Sequence, residues 1–288
     1  MALYLIGLGL GNEKDITVRG LEIVKNADYI YLESFTSKLN CSVEELERFY
    51  FGDSGNAGNN NTNNKSKSQK KLILADRNLV ENNAEEILER AKTSDVAFLV
   101  IGDVFSATTH HDLRLRALKE GIKVEIINNV SIMTAVGITG LDLYKFGRTT
   151  TIVFPEPNFF PETPYDVIKM NLSNGLHTLC LLDIKADREM YMDVNEALHL
   201  LLAIEEKRSE KASDEEKNKD KKSENKEKVI NENTKVVGCT RLGSKNQLIK
   251  YGTIKELLTF DFGEPLHALI IPGKLHFMEE EVLERYKI

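Results

Sequence analysis

The sequence predicts an α/β protein of two domains, each a β-sheet covered by helices. The chain has 288 residues, which exceeds the roughly 100–200 residues of an ordinary single domain. Its first half alternates short apolar runs with helical patterns, as strands joined by crossover helices do. A predicted strand ends next to Asn128-Asn129 and a predicted helix begins at residue 131, so we expect domains at residues 1–128 and 129–288.

The first predicted domain has the pattern of a parallel sheet. Apolar residues three or four apart share one face of a helix, as Leu46 and Tyr50 do in the predicted helix at 43–51. The predicted strands are residues 2–6, 29–32, 72–74, 96–101 and 124–127. The predicted helices are residues 17–25, 43–51, 80–92 and 112–119.

The second predicted domain is another α/β unit, for which we expect a mixed sheet. Its predicted strands are residues 150–154, 176–182, 236–240 and 266–271. Its predicted helices are residues 131–141, 165–172, 194–206 and 253–259.

Two low-complexity segments read as insertions. Residues 52–71 are rich in Asn, Ser, Gly and Lys and nearly free of apolar side chains, so they cannot offset the entropy lost on ordering. We expect a flexible surface loop there. Residues 205–228 are mostly Glu, Lys, Asp and Ser, and we expect them to prolong the preceding helix by one or two turns before order is lost.

The net charge, the cysteines and the apolar runs of the sequence limit the classes of function that it can have. The formal net charge of −7 argues against non-specific binding to nucleic acid, whose phosphates attract basic surfaces. The three cysteines are widely spaced, which favours a reducing compartment over a disulfide or a zinc site, and Cys180 should pack as a small apolar side chain. No apolar run is long enough for a membrane span and no signal-peptide pattern occurs, so we expect a cytoplasmic protein. We also expect no bound metal.

A glycine-rich loop, Gly7-Leu8-Gly9-Leu10-Gly11, follows the first predicted strand. Glycines allow the backbone to turn sharply and to approach a ligand closely. The dinucleotide fingerprint requires G-x-G-x-x-G and an acidic ribose partner; neither Asp28 nor Glu33 fits that position convincingly. The motif alone therefore leaves hydride transfer and other cofactor chemistry open.

A second loop, residues 102–110, follows the most apolar strand and contains Asp103 and Ser106. Ligands collect beyond the carboxyl ends of parallel strands, where an aspartate can accept hydrogen bonds from a ribose. The alternative makes Asp103 a turn residue and the threonines helix caps. For His110-His111 we expect a capping or surface role, because no metal-ligand partner lies at a suitable spacing.

Taken together, several stretches resemble the diphthine synthase family within the tetrapyrrole methylase superfamily. The most diagnostic are residues 143–147 and 177–185; Val104 occupies the position where the family usually has proline. The other matching stretches are residues 3–11, 15–21, 95–103, 107–110, 131–133, 135–137 and 263–267.

The resemblance implies a homodimer of two α/β domains, with S-adenosylmethionine in the cleft between the domains and S-adenosylhomocysteine as product. Asp103 is expected to act through its side chain and the apolar members through their backbone; no catalytic base is assigned. Carried over by position, the cofactor contacts are Leu10, Asp103, Ser106, Ser131, Ile132, Leu182, Leu242 and His267.

The resemblance also implies an acceptor: the modified histidine of translation elongation factor two. The sulfonium methyl is already activated, so the enzyme mainly has to align the nucleophile with it. His267 could accept a proton, although a cofactor contact is the first expectation. The alternatives are a methyltransferase of the same superfamily acting on a tetrapyrrole-like molecule, and a non-catalytic protein that binds the cofactor.

Overall fold

The computed structural model describes residues 1–52, 70–157, 159–217 and 228–288, with only the backbone described for 212–217. These residues divide into two compact units. Unit 1 comprises Met1–Ala135, Ala186–Arg188 and Gly243–Lys245. Unit 2 comprises Val136–Lys185, Glu189–Leu242 and Asn246–Ile288. The predicted boundary between residues 128 and 129 stays a prediction.

Unit 1 contains a five-stranded sheet in the order β3-β2-β4-β1-β5. Every pair of neighbouring strands is parallel, as the sequence predicts. Strand β4 is buried at all five positions, which explains its continuous apolar sequence. The strands are β1 (Leu3–Gly7), β2 (Tyr29–Glu33), β3 (Ile73–Ala75), β4 (Val96–Val100) and β5 (Val124–Ile127).

The helices of unit 1 differ from prediction in two places. The predicted helix at 80–92 is instead a π-helical turn, Asn78–Asn82, followed by a separate helix, because the Asn82 and Asn83 side chains bond back to Asn78 and interrupt the regular pattern. The predicted helix at 131–141 ends early in a 3₁₀ turn, Val136–Thr139. The α-helices are α1 (Val18–Asn26), α2 (Val43–Phe51), α3 (Glu85–Thr93), α4 (His111–Lys119) and α5 (Ile132–Ala135).

Unit 2 contains a mixed sheet in the order β11-β10-β12-β7-β6. Strands β6 and β7 are parallel and the other neighbours are antiparallel, so the predicted mixed sheet is confirmed. A small hairpin, β8–β9, follows β7. The strands are β6 (Thr150–Ile152), β7 (Thr178–Leu182), β8 (Ile184–Lys185), β9 (Met190–Tyr191), β10 (Lys235–Thr240), β11 (Leu248–Thr253) and β12 (His267–Ile271).

Four α-helices are described in unit 2: α6 (Thr163–Ser173), α7 (Val194–Lys217), α8 (Ile254–Leu257) and α9 (Phe277–Leu283). Helix α7 continues to Lys217, beyond the predicted end at residue 206, so the charged segment prolongs it further than expected. The Arg208 guanidinium supports this extension through its ion pairs with Glu162 and Asp166. The remainder of that segment and most of the predicted loop at 52–71 lie outside the described residues.

The cysteine environments agree with the predicted packing role of Cys180. Cys180 and Cys239 are buried free thiols, and burial raises the pKa of Cys239 to about 12. Neither is therefore ready to act as a nucleophile at neutral pH. Within the described ranges, none of the helices has both the length and the apolar character needed to cross a membrane.

The predicted capping or surface role of His110 is wrong. Its side chain is fully buried, and the ring centroid lies 5.3 Å from that of Phe98 in an edge-to-face arrangement. Both ring nitrogens lack a hydrogen-bond partner among the residues that the structure describes. Burial therefore lowers the pKa of His110 to about 4.

We expect His110→Phe to make the protein less sensitive to acid. Because the pKa of His110 is lowered on folding to about 4, neutral His110 favours the fold above pH 6.5, and this contribution is lost as the pH falls toward 4. From these values, wild type should lose about 2 kcal/mol more than the variant between pH 7.5 and pH 5. Urea unfolding at both pH values measures this difference, and parallel losses in the two proteins would contradict it.

Candidate functional site

Three loops of unit 1 meet at one edge of its sheet. They follow β4, β1 and β5, which are neighbours in that order, and the carboxyl ends of parallel strands share an edge. We call this edge the unit 1 rim. It brings together five of the predicted contact residues, namely Leu10, Asp103, Ser106, Ser131 and Ile132.

The glycine loop and the Asp103 loop are joined directly through their backbones. Gly9 N–H donates to the Gly102 carbonyl at 3.1 Å, and Gly102 N–H donates to the Gly9 carbonyl at 2.8 Å. Both residues have positive φ angles, 80° and 79°, which glycine adopts without steric cost. The two loops therefore form one rigid piece of backbone.

The other glycines of the motif make room for neighbours within unit 1. A Cβ at Gly7 would lie 2.7 Å from the Gly102 carbonyl oxygen, and one at Gly11 would lie 2.6 Å from both an Asp15 carboxylate oxygen and the Gly243 carbonyl oxygen. The Asp15 carboxylate also accepts the Gly11 N–H at 2.7 Å. Close packing of the chain on itself thus accounts for these glycines.

The Asp103 carboxylate organises the rim. One of its oxygens accepts hydrogen bonds from Phe105 N–H at 3.1 Å and from the Ser106 hydroxyl at 3.3 Å. The other accepts from the Asn128 amide at 3.1 Å and from Asn129 N–H at 3.0 Å. Burial opposes ionisation, but these four hydrogen bonds outweigh it and hold the pKa of Asp103 below its usual range. A direct role toward a ligand stays a prediction.

Asn129 is a rim residue that is absent from the predicted cofactor contacts, although it precedes two of them, Ser131 and Ile132. Its side-chain amide donates to the Gly7 carbonyl at 2.9 Å and to the Asp15 carbonyl at 3.0 Å. Its side-chain oxygen accepts from Val130 N–H at 2.8 Å. The side chain thus fastens the end of β5 to the glycine loop. A pair of asparagines immediately after a strand is the signal that was available.

We expect Asn129→Ala to destabilise the protein by about 2 kcal/mol, since two carbonyls and one N–H would lose their partner. Asn26→Ala is the matched control, because the Asn26 amide donates only to a carbonyl at the exposed end of α1; its effect should stay below about 0.5 kcal/mol. Urea unfolding of both variants measures the difference. Equal effects would show that the rim does not depend on Asn129.

The surface of the rim combines polar and apolar groups. Ser131 is buried and its hydroxyl accepts the Met133 N–H at 3.2 Å, so it acts as a cap of the short helix α5. Leu10 and Ile132 are half-buried, and Val130 is 52% exposed. Apolar side chains beside backbone polar groups suit a ligand with a flat ring and hydroxyl groups.

A loop after β2, residues 34–42, is a further part of the rim that the sequence did not reveal. Glu33 is fully buried, and its carboxylate accepts hydrogen bonds from the Phe35 and Thr36 N–H groups and from the Thr36 hydroxyl. At the other end of the loop, the Asn40 amide donates to the Leu10 carbonyl at 3.0 Å. The loop therefore supports the glycine loop from one side.

The remaining predicted contacts, Leu182, Leu242 and His267, lie at one edge of the unit 2 sheet. Leu182 ends β7, His267 begins the antiparallel neighbour β12, and His267 pairs with Thr240 at the end of β10. His267 Nδ1 accepts from Val194 N–H at 3.3 Å, and Nε2 donates to the Gly263 and Glu264 carbonyls. Both ring nitrogens are therefore engaged.

The diagnostic stretches at 143–147 and 177–185 also build a buried charged cluster in unit 2. The Glu279 carboxylate binds the Lys145 ammonium and lies 2.9 Å from His177 Nε2. It also accepts Asp142 N–H at 2.9 Å and His276 N–H at 2.7 Å. His177 precedes β7 whereas Leu182 ends it, so this cluster lies at the opposite end of that strand from the predicted cofactor contacts.

Comparisons with known proteins agree with this architecture. The family model of the Tetrapyrrole (Corrin/Porphyrin) Methylases matches residues 2–258. A diphthine synthase of Methanococcus maripaludis is 48% identical over 283 residues, covering 98% of this chain and 97% of the relative. A diphthine methyl ester synthase of Dictyostelium discoideum is 42% identical over 305 residues, covering 100% and 99%. A crystal structure of a candidate diphthine synthase from Entamoeba histolytica superposes with a TM-score of 0.81 at 41% identity, covering 99% of this chain and 98% of the other.

Proposed function

The chain belongs to the diphthine synthase family of tetrapyrrole methylases, and from that membership we propose that it is an S-adenosylmethionine-dependent methyltransferase of diphthamide biosynthesis. It methylates the modified histidine of translation elongation factor two, giving diphthine or its methyl ester. The observation that carries this proposal is the match, over nearly the whole of both chains, to relatives bearing those two names. We further propose that it acts in the cytoplasm as a homodimer.

The residues present fit the proposed cofactor. S-adenosylmethionine presents a flat ring, ribose hydroxyls and a charged amino-acid end, and when bound it supplies a methyl group activated by the positive sulfur. Leu10 and Ile132 offer half-buried apolar surface, and Ser106 offers a hydroxyl within hydrogen-bonding distance of Asp103. We propose that these groups, with Ser131, hold the cofactor on unit 1, and that Leu182, Leu242 and His267 contribute from unit 2.

The chain contributes mainly by alignment. The acceptor atom must be held in line with the methyl group at about 3–3.5 Å, which fixed loops achieve better than mobile ones. An acceptor carboxylate is already ionised at neutral pH, so it needs no base. An acceptor amine must first lose a proton, and the engaged ring nitrogens of His267 favour release to water over transfer to that side chain.

The proposal is tested by binding and by turnover. Calorimetry with S-adenosylhomocysteine should detect one site per chain, whereas a dinucleotide should not bind. Elongation factor purified from cells lacking this protein should gain methyl groups on the modified histidine, as seen by mass spectrometry. Tight binding of S-adenosylhomocysteine, together with methylation of a precorrin and not of the factor, would favour the small-molecule alternative. Binding without any turnover would favour a non-catalytic protein.

A further inference from the structure

We propose that Lys185 is the cation of a carboxylate-binding subsite in unit 2, an inference that rests on the proposed methyl transfer. Two carboxylates are available in that reaction. S-adenosylmethionine carries one at its amino-acid end, and an acceptor that becomes a methyl ester, as the name of the Dictyostelium relative indicates, must carry another. A buried or half-buried carboxylate requires a cationic or hydrogen-bonding partner.

The first support is position. Lys185 lies in β8, three residues after Leu182, where the chain leaves the end of β7. This is the edge of the unit 2 sheet at which His267 begins β12. Lys185 thus belongs to the same end of the sheet as the residues proposed to contact the cofactor.

The second support is the way the side chain is held. Lys185 is only 22% exposed, and its ammonium lies 5.9 Å from the centroid of the Phe154 ring. Its carboxylate partner within the described residues is Glu156, at 3.1 Å, and Glu156 is itself 58% exposed. An ion pair with so exposed a partner contributes little stability, so an incoming carboxylate can replace Glu156.

The third support concerns Asp183, an acidic residue two positions before Lys185. One Asp183 carboxylate oxygen accepts the Phe154 N–H at 3.0 Å, which holds the segment after β6 beside the end of β7. This bond uses Asp183 to fix the Phe154 backbone. A lysine ammonium has three donors, and the bond to Glu156 uses one of them. The Lys185 ammonium therefore has donors left for a ligand. The backbone beside it is held in place by the bond between Asp183 and Phe154.

The test compares Lys185→Met and Lys185→Arg with wild type in the full-length protein. Lys250→Met is the matched control, because the Lys250 ammonium also lies over a phenylalanine ring, 5.1 Å from Phe260, but on the edge strand β11. Calorimetry measures the affinities for S-adenosylhomocysteine and for 5′-methylthioadenosine, which lacks the amino-acid end. Steady-state kinetics gives KM and kcat for the elongation factor, and thermal unfolding verifies that each variant folds.

If the cofactor supplies the carboxylate, Lys185→Met should bind S-adenosylhomocysteine about ten-fold or more weakly and 5′-methylthioadenosine as wild type does. If the acceptor supplies it, S-adenosylhomocysteine affinity should be unchanged and the KM for the elongation factor should rise about ten-fold. In either case Lys185→Arg, which keeps the positive charge, should remain close to wild type. Glu156→Gln should strengthen binding of the same ligand, because it removes the competing carboxylate.

The subsite is overturned if Lys185→Met matches wild type and Lys250→Met in all three measurements while wild type binds S-adenosylhomocysteine. Failure of wild type to bind S-adenosylhomocysteine would instead remove the proposed function itself. Glu156→Gln provides a second reading should Lys185→Met fail to fold: unchanged affinity and unchanged KM in that variant would also count against the subsite.

Discussion

Asp103→Ala is expected to weaken S-adenosylhomocysteine binding by 100-fold or more, on the order of 3 kcal/mol. The carboxylate gathers four donors from the Asp103 loop and from the end of β5, so its loss would release both segments at once. Two of those donors are backbone N–H groups, those of Phe105 and Asn129, which would be left without an acceptor. Calorimetry well below the unfolding temperature measures the loss of affinity.

The same variant should be less stable by about 3 kcal/mol, because partly buried donors lose a charged acceptor. Asp112→Ala is the control within unit 1. The Asp112 carboxylate pairs with Arg116 on the exposed surface of α4, and its loss should change stability by less than about 0.5 kcal/mol. The loss of stability in Asp103→Asn should be smaller than in Asp103→Ala and larger than in Asp112→Ala. Its amide keeps one acceptor oxygen but turns N–H groups toward donors at the other position. If Asp103→Ala kept wild-type affinity, Asp103 would have no part in the cofactor site.

Glu279→Ala should strongly destabilise unit 2, by about 3–5 kcal/mol, because it would leave buried His177 and part-buried Lys145 without their carboxylate. Glu279 also accepts two backbone N–H groups, one of them at the N-terminus of α9. Glu280, the next residue in α9, is exposed, so Glu280→Ala is the control and should be nearly neutral. Urea unfolding measures both variants.

The Glu279 cluster also predicts a pH dependence. Burial alone would raise the pKa of Glu279, but the hydrogen bonds from Lys145 and from the backbone outweigh it and lower the pKa to about 2. Because the pKa is lowered on folding, ionised Glu279 stabilises the fold above pH 4.5, and about 3 kcal/mol is lost as the pH falls from 4.5 toward 2. Glu279→Gln should be less stable at pH 7 yet lose less below pH 4.5. Equal acid losses in both proteins would contradict this assignment.

The sequence predicted the sheets well because buried strands need apolar side chains. Strand β4 is wholly buried and its five residues are all apolar, so its burial could be predicted from the sequence alone. Edge strand β11 was missed because it has one strand neighbour, β10, and its residues need not be uniformly apolar. Helix endings were less predictable, since Asn82 and Asn83 stop a regular helix through local hydrogen bonds.

The candidate site was predictable where chain order reveals it and obscure where it depends on distant partners. Asp103 stands out because it directly follows a strand and a glycine. The Asn129 amide instead bonds to Gly7, 122 residues away, and Glu279 meets His177 across 102 residues. His110 was expected to cap a helix or lie at the surface because no metal-ligand partner lies at a suitable spacing, whereas its surroundings are set by Phe35 and Phe98 from other elements.

The reciprocal Gly9 and Gly102 hydrogen bonds affect when entropy is lost. Two segments that would otherwise fluctuate independently become a single closed ring during folding, before any ligand arrives. Freezing a residue's backbone costs about 1–2 kcal/mol, and here that ordering is complete in advance. A ligand that binds to these two loops does not have to order them, so more of its interaction energy appears as affinity, as expected for a preorganised binding site.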